Sequence, residues 1–136
     1  MQDDFDTFMR TREAAAGAYT TGNARPLEAI SQRSGPATFF DPGGGLTEGA
    51  ENVLRVNIEG ARAFGPNGKT HFDVRDHGAS GDLAFWTGYQ HASVELNGKQ
   101  QDMKLRITEV FRRTDDGWKL VHRHASMAKS QNEKGR

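Results

Sequence analysis

The chain has no cysteine, which excludes disulfides, thiolate nucleophiles and thiolate metal sites together. It has no excess of either charge, because eighteen Lys and Arg balance eighteen Asp and Glu at a pI near 7.0. A polyanion surface would need those charges segregated onto one face, so no nucleic-acid partner is expected. No apolar run approaches the ~20 residues of a membrane span. The opening MQDDFDTFMR is acidic and has no apolar signal core. No membrane partner is therefore expected, and the sequence reads as a soluble cytoplasmic domain. Apolar residues are sparse, at 35% with a mean hydropathy of −0.77. Eight Phe, two Trp and two Tyr still supply large surfaces to bury. At 136 residues the chain is long enough for one core without staples. Residues 1–128 read as a single domain, and 129–136, with no apolar side chain, as a flexible polar tail.

Periodicity divides the domain in two. Phe5, Phe8, Met9, Arg12, Ala15, Ala16 and Tyr19 recur at helical spacing, with Asp3 or Asp4 as the cap and Gly22 as the stop. Pro26 can open a short second helix through Ile30. Ala37 to Phe40 reads as a short strand ended by Asp41-Pro42-Gly43-Gly44-Gly45. A third helix is expected from about Thr47 to Phe64, with Ala50, Val53, Leu54, Ile58, Ala61 and Phe64 as its buried stripe. The period then changes to two. Thr70–His77, Leu83–Leu96, Gln101–Arg113 and Trp118–Ala125 read as strands of an antiparallel meander, each separated by a glycine-containing turn. The fold class is α+β, a strongly curved sheet with helices packed on one face.

Hairpin geometry pairs particular residues. With Asn97-Gly98 as a two-residue turn, Trp86 faces Glu109, Gly88 faces Ile107 and Gln90 faces Leu105 on one side of the sheet. That side is apolar except for Gln90 and Glu109, with a glycine hole beside the tryptophan. Such a face reads as a ligand cavity. The last hairpin has two solutions. A two-residue loop at Asp115-Asp116 sets Glu109 opposite His122, and a three-residue loop through Gly117 sets it opposite Arg123.

LRITEVFRR followed by DGWKLVHRHAS resembles the C-terminal hairpin of the nuclear transport factor 2-like superfamily, in its SnoaL-like branch. TTGNARPLEAI, ATFFDPGG and EGAENV extend the resemblance over nearly the whole chain. It implies a cone-shaped α+β fold with a pocket between sheet and helices, and a homodimer through the outer sheet face. Ketosteroid isomerases, polyketide cyclases and the association domain of calcium/calmodulin-dependent kinase have similar sequences. ATFFDPGG is similar to the isomerase segment carrying the general base, which sets Asp41 in that role, and Glu109 falls on the acid that holds the enolate oxygen. The isomerase's helix 1 tyrosine is not matched, since Ala15 or Gly17 aligns there and Tyr19 is at least half a turn away. The arginines of the kinase domain's pocket fall on Gln90 and Glu109.

The expected site therefore has Asp41 and Glu109 as acid–base carboxylates. Trp86, Gln90, Ile107, Phe111, His122, Arg123 and His124 are the substrate-binding candidates. Each has a plainer reading. Asp41 before Pro42 can simply cap a turn. Glu109 can be a structural ion pair with Arg123, and if unpaired beside Trp86 it should resist ionisation. His122 and His124 have the spacing of a two-histidine metal site, but no third ligand is evident and neither metal nor cofactor is expected. An acidic pocket suggests a neutral or cationic ligand, and the expected partner is a small hydrophobic or neutral molecule. Two functions compete on these grounds, a small isomerase-, cyclase- or dehydratase-type enzyme and a non-catalytic ligand-binding or oligomerisation module.

Overall fold

The structure is a computed structural model that describes residues 2–129, with side chains from Asp4 onward. The expected tail lies outside the described residues beyond position 129. In chain order the elements are α1 (Gln2–Tyr19), α2 (Arg25–Ala29), β1 (Thr38–Phe40), β2 (Leu46–Glu48), α3 (Ala50–Ala61), β3 (Lys69–Ser80), β4 (Leu83–Leu96), β5 (Lys99–Thr114) and β6 (Gly117–Met127). The strands form one curved, open sheet in the order β2-β1-β6-β5-β4-β3, and the helices cover its inner face.

α1 begins at Gln2, so Asp3 and Asp4 fall inside its first turn and do not cap it. Asp4 instead accepts a hydrogen bond from Arg113 Nη1 at 2.6 Å. The other end terminates as expected. Gly22, at φ +94°, donates to the Tyr19 carbonyl, and Asn23 donates to that of Ala18. This is a Schellman closure, which needs a left-handed residue where glycine stands. Phe5 of α1 sits fully buried between Phe111 and Trp118, both at 5.5 Å between ring centroids.

The meander follows the expected order, and the β4–β5 register is the one that Asn97-Gly98 dictates. Asn97 (φ +53°) and Gly98 (φ +78°) both adopt the positive φ of that turn. Trp86 pairs with Glu109, Gly88 with Ile107 and Gln90 with Leu105. The last hairpin combines features of both expected solutions. Its loop is the two-residue form, with Thr114 opposite Gly117, yet Glu109 lies opposite Arg123. A bulge on β6 at Val121, between the Phe111–Leu120 and Val110–His122 pairs, supplies the extra residue. The bulge also reverses which face β6 presents: Trp118 and Leu120 point inward before it, and Arg123 and Ala125 after it.

The first half differs more from expectation. Leu46–Glu48, whose Thr47 and Glu48 were expected to open helix 3, is a strand that pairs back on β1 through the Asp41–Gly45 loop. Helix 3 accordingly starts at Ala50, after Gly49 at φ +94°, and stops at Ala61. Nor is the sheet antiparallel throughout, since β1 lies parallel to β6 with Thr38, Phe39 and Phe40 opposite His122, Arg123 and His124. The cause is local. Ser31, leaving α2, already bridges Leu120 in the same direction, with Leu120 N–H donating to Ile30 and Gln32 N–H donating to Leu120. The chain then leaves the β6 edge at Gln32 and rejoins it at Thr38, while β6 advances only from Leu120 to His122. That detour leaves an opening in the wall of the fold.

Candidate functional site

Four elements converge on Glu109. β5 points it to the inner face, and it is completely buried. Arg12, on the inward stripe of α1, donates to it from Nε at 2.9 Å and from Nη2 at 2.7 Å. Arg123, turned inward by the Val121 bulge, donates from Nη1 at 2.7 Å. Trp86, its partner across the β4–β5 ladder, donates from Nε1 at 2.8 Å. Burial alone would push the Glu109 carboxyl up. The charges and hydrogen bonds of Arg12 and then Arg123 outweigh it and bring the pKa down to about 2. Of the two readings of Glu109, the structure shows the ion pair with Arg123, joined by Arg12, and not the unpaired carboxyl that would resist ionisation. Glu109 is an anion held by two cations and has no proton to donate near neutral pH.

The network continues across the inner face. Arg123 Nη2 donates to Gln90 Oε1 at 2.8 Å, and Gln90 Nε2 donates to Thr70 Oγ1 at 3.2 Å. Arg12 also lies 5.3 Å from the ring of Phe72, which itself stacks on Trp86 at 4.5 Å. The inner face is therefore filled around Trp86. The expected hole at Gly88 is closed by backbone, because a Cβ there would overlap the Asp73 carbonyl oxygen and lie 2.8 Å from the Arg75 amide. β3 bulges at that point, between Val74 and Asp76, and fits into the space glycine leaves.

The cavity lies beside this cluster, where the Gln32–Ala37 detour parts from β6. It has a volume of about 110 Å³. Leu27, Phe39, Val53 and Leu120 give it apolar walls, while Tyr19, Asn57, Gln90, Arg12 and Arg123 bring polar groups to it. Of the residues expected to bind substrate, Gln90, His122 and Arg123 line this cavity. Trp86, Ile107 and Phe111 do not. They are buried in the core, Phe111 against Phe5 and Phe8 of α1. His124 is exposed and sits beside Phe40, at 5.2 Å between rings.

Asp41, expected as an acid–base carboxylate of the site, does not line this cavity. Its Oδ1 accepts from the amides of Gly43 at 2.9 Å and Gly45 at 3.1 Å, which closes the β1–β2 loop. This is the turn-capping chemistry that an Asp-Pro-Gly sequence favours. No cluster of three metal-ligating side chains occurs among the described residues. His122 uses its Nδ1 in a 2.7 Å hydrogen bond with Thr38 Oγ1. Burial first, and then the neighbouring His124, lower its pKa, against an upward pull from Glu109.

Arg12 and Tyr19 are among the cavity residues that escaped the sequence reading. Arg12 stood as a charge on an otherwise apolar helical stripe, and that position was the signal of a buried partner. Tyr19 ended the same stripe. Its hydroxyl now lies against α3 where Gly60 makes room, since a Cβ at Gly60 would be 2.6 Å from it. Burial raises the Tyr19 pKa, partly offset by the charge of Arg123, so the hydroxyl remains a donor.

A helical layer on a curved sheet, with a lined cavity between them, defines the class of the molecule as a cone-shaped α+β pocket fold. The SnoaL-like domain family matches residues 10–130, and the chain belongs to that family. Solved structures agree on the fold. A candidate dehydratase of the NTF2-like family from Streptomyces avermitilis superposes with a TM-score of 0.76 at 23% identity, over 94% of this chain and 98% of that one. A protein with a cystatin-like fold from Caulobacter vibrioides gives 0.73 at 11% identity, over 98% and 93%. The CaMKII hub of S. rosetta gives 0.70 at 20% identity, over 90% and 95%. No curated protein sequence matches the chain. No helix among the described residues is long and apolar enough to cross a membrane.

Proposed function

We propose that the chain is a small-molecule-binding domain whose ligand occupies the cavity between α1, α3 and the β1–β6 ladder. The observation that carries this reading is the convergence of Tyr19, Asn57, Gln90 and Arg123 on one space walled by Leu27, Phe39, Val53 and Leu120. An apolar enclosure with a few directed polar groups is the usual form of a ligand site. In this reading Glu109 is not an acid catalyst but the anion that orients Arg12 and Arg123. Asp41, engaged with its own loop, has no part in the site. A dehydratase- or isomerase-type reaction would therefore draw on Tyr19 as donor rather than on a pair of carboxylates.

The test is a thermal-shift and NMR screen of small ketones, lactones, amides and amines against the wild-type chain and Val53→Trp, which fills the cavity. Stabilisation by at least one compound, lost in Val53→Trp, supports the proposal. A screen in which no compound shifts the cavity resonances rejects it.

The second reading is an oligomerisation module, and the outer sheet face favours it. Leu83 and Phe85 are 51% and 36% exposed there, beside Val110, which pairs with Phe85 across the β4–β5 ladder. Such a strip calls for cover, and a second copy of the chain is the proposed cover. The two readings are compatible, because none of these three residues lines the cavity.

A further inference from the structure

Arg12 and Arg123 both line the cavity, and they share a single carboxylate. Glu109 is sealed behind them, and no Asp or Glu among the described residues lines the cavity. Two guanidiniums against one carboxylate leave one positive charge unmatched at the cavity floor, because arginine does not deprotonate in proteins. Arg12 is 3% exposed, and its Nη1 finds no acceptor among the described residues. A buried charged donor without an acceptor is costly, and a further anion nearby would relieve it. Tyr19, which lines the same cavity from α1, adds a donor, because burial keeps its hydroxyl protonated against the pull of Arg123. His122 contributes little charge, since burial favours its neutral form. The cavity that the sequence marks as acidic is electrostatically the reverse.

We infer that the cavity takes a small carboxylate with a compact apolar tail. Its oxygens meet Arg123 and the Tyr19 hydroxyl, and its tail packs against Leu27, Val53, Phe39 and Leu120. Charge selects the head, since a guanidinium is the side chain best suited to a carboxylate in a partly dry site. Volume limits the tail. A cavity of about 110 Å³ is smaller than the roughly 150 Å³ that accepts benzene, so the ligand is a short branched acid or a single ring that reaches the opening. The inference rests on the small-molecule reading above and adds its chemical class.

Matched probes test it: isobutyrate against isobutyramide, and benzoate against benzamide, titrated calorimetrically at low ionic strength. The expected result is at least one carboxylate binding about tenfold or more tightly than its amide, in line with a charge-assisted hydrogen bond. Val53→Trp should abolish that binding. Tyr19→Phe should weaken the carboxylate about tenfold and the amide less. Glu109→Gln, where circular dichroism shows it folded, should bind the carboxylate more tightly, because the local charge rises from one to two. If that variant does not fold, the matched pairs and Tyr19→Phe decide alone. Amides that bind as well as carboxylates, and are lost in Val53→Trp, would overturn the carboxylate inference and leave the small-molecule reading intact. Carboxylate binding that survives Val53→Trp would also overturn it. If neither these probes nor the neutral screen bind, both readings fall.

Discussion

Glu109 accepts two hydrogen bonds from the guanidinium of Arg12, a residue 97 positions earlier in the chain. This contact joins the first helix to the middle of the meander, and it converts an isolated acid into the centre of a cationic cluster. Removing the acid should be severe. Glu109→Ala leaves Arg12 and Arg123 buried or nearly so, facing one another without a counter-ion. Breaking a buried pair in this way typically costs about 3–5 kcal/mol. Chemical denaturation should show that loss, whereas Asp41→Asn, which keeps an acceptor for the Gly43 and Gly45 amides, should cost under about 1 kcal/mol. A loss of similar small size for Glu109→Ala would show that the cluster does not hold the fold.

The same carboxylate sets an acid limit on stability. Its folded pKa of about 2 lies below the ordinary value of 4.5. The unfolded chain therefore takes up the proton first, and the contribution is present above about pH 4.5 and lost as the pH falls toward 2. Unfolding free energy measured from pH 7 to pH 2 should be level in this contribution until about pH 5 and then fall by a few kcal/mol. Glu109→Gln should flatten that part of the profile. A wild-type profile that does not decline below pH 4.5 would contradict the paired, ionised state.

Much of the sheet could be read directly, and the reason is physical. Asn97-Gly98 admits essentially one hairpin turn, so every β4–β5 pair followed from it. Asp115-Asp116-Gly117 admits more than one, and the bulge that decided the pairing lies four residues further on, at Val121. Nothing in Leu120-Val121-His122 marks a bulge, because it arises where Ser31 and then β1 take up the free edge of β6. The site suffered most from that kind of long-range effect. Its acid was found from strand register, but the neutralising Arg12 came from a helix whose rotation over the sheet no local pattern fixes. Gly88 shows the same limit, since an apparent hole was filled by the β3 backbone.

Gly88 therefore gives a sharp prediction about packing. A methyl group there would overlap the backbone of Asp73, which cannot move without undoing the β3 bulge. Gly88→Ala should destabilise the chain by roughly 1–3 kcal/mol, the usual cost of forcing extra volume into a filled site. Gly17→Ala is the control, because a Cβ there meets nothing within 4 Å and alanine favours the helix. Thermal denaturation should show a lower melting temperature for the first change and an equal or higher one for the second. A neutral Gly88→Ala would mean that the space beside Trp86 is open after all.

His122 offers a probe of the cavity wall from the sheet side. Its folded pKa is lowered from 6.5, first by burial and then by His124. A lowered histidine pKa means that the unfolded chain binds the proton more readily, so this contribution is lost as the pH falls below 6.5. An NMR titration of the imidazole signals should find His122 protonating at lower pH than an ordinary histidine. Thr38→Val removes the Nδ1 partner, and His124→Gln removes the neighbouring charge. His124→Gln should move the His122 midpoint upward. A midpoint that stays put would assign the shift to burial alone.

The outer sheet face supplies the last prediction. Leu83 and Phe85 on β4 stand exposed beside Val110 on β5, and the helices cover only the inner face. A second copy packed across this strip would bury the three side chains together, and stable interfaces of this kind remove on the order of 1,200–2,000 Å² from water. Light scattering at micromolar concentration should therefore return the mass of a dimer of the 15.0 kDa chain. Phe85→Glu puts a charge at the centre of the strip without touching the cavity. It should shift the mass to that of a monomer while leaving the fold intact by circular dichroism and the cavity resonances unchanged. A monomeric wild-type chain would remove the oligomerisation reading, and the cavity would then stand alone as the functional feature of the fold.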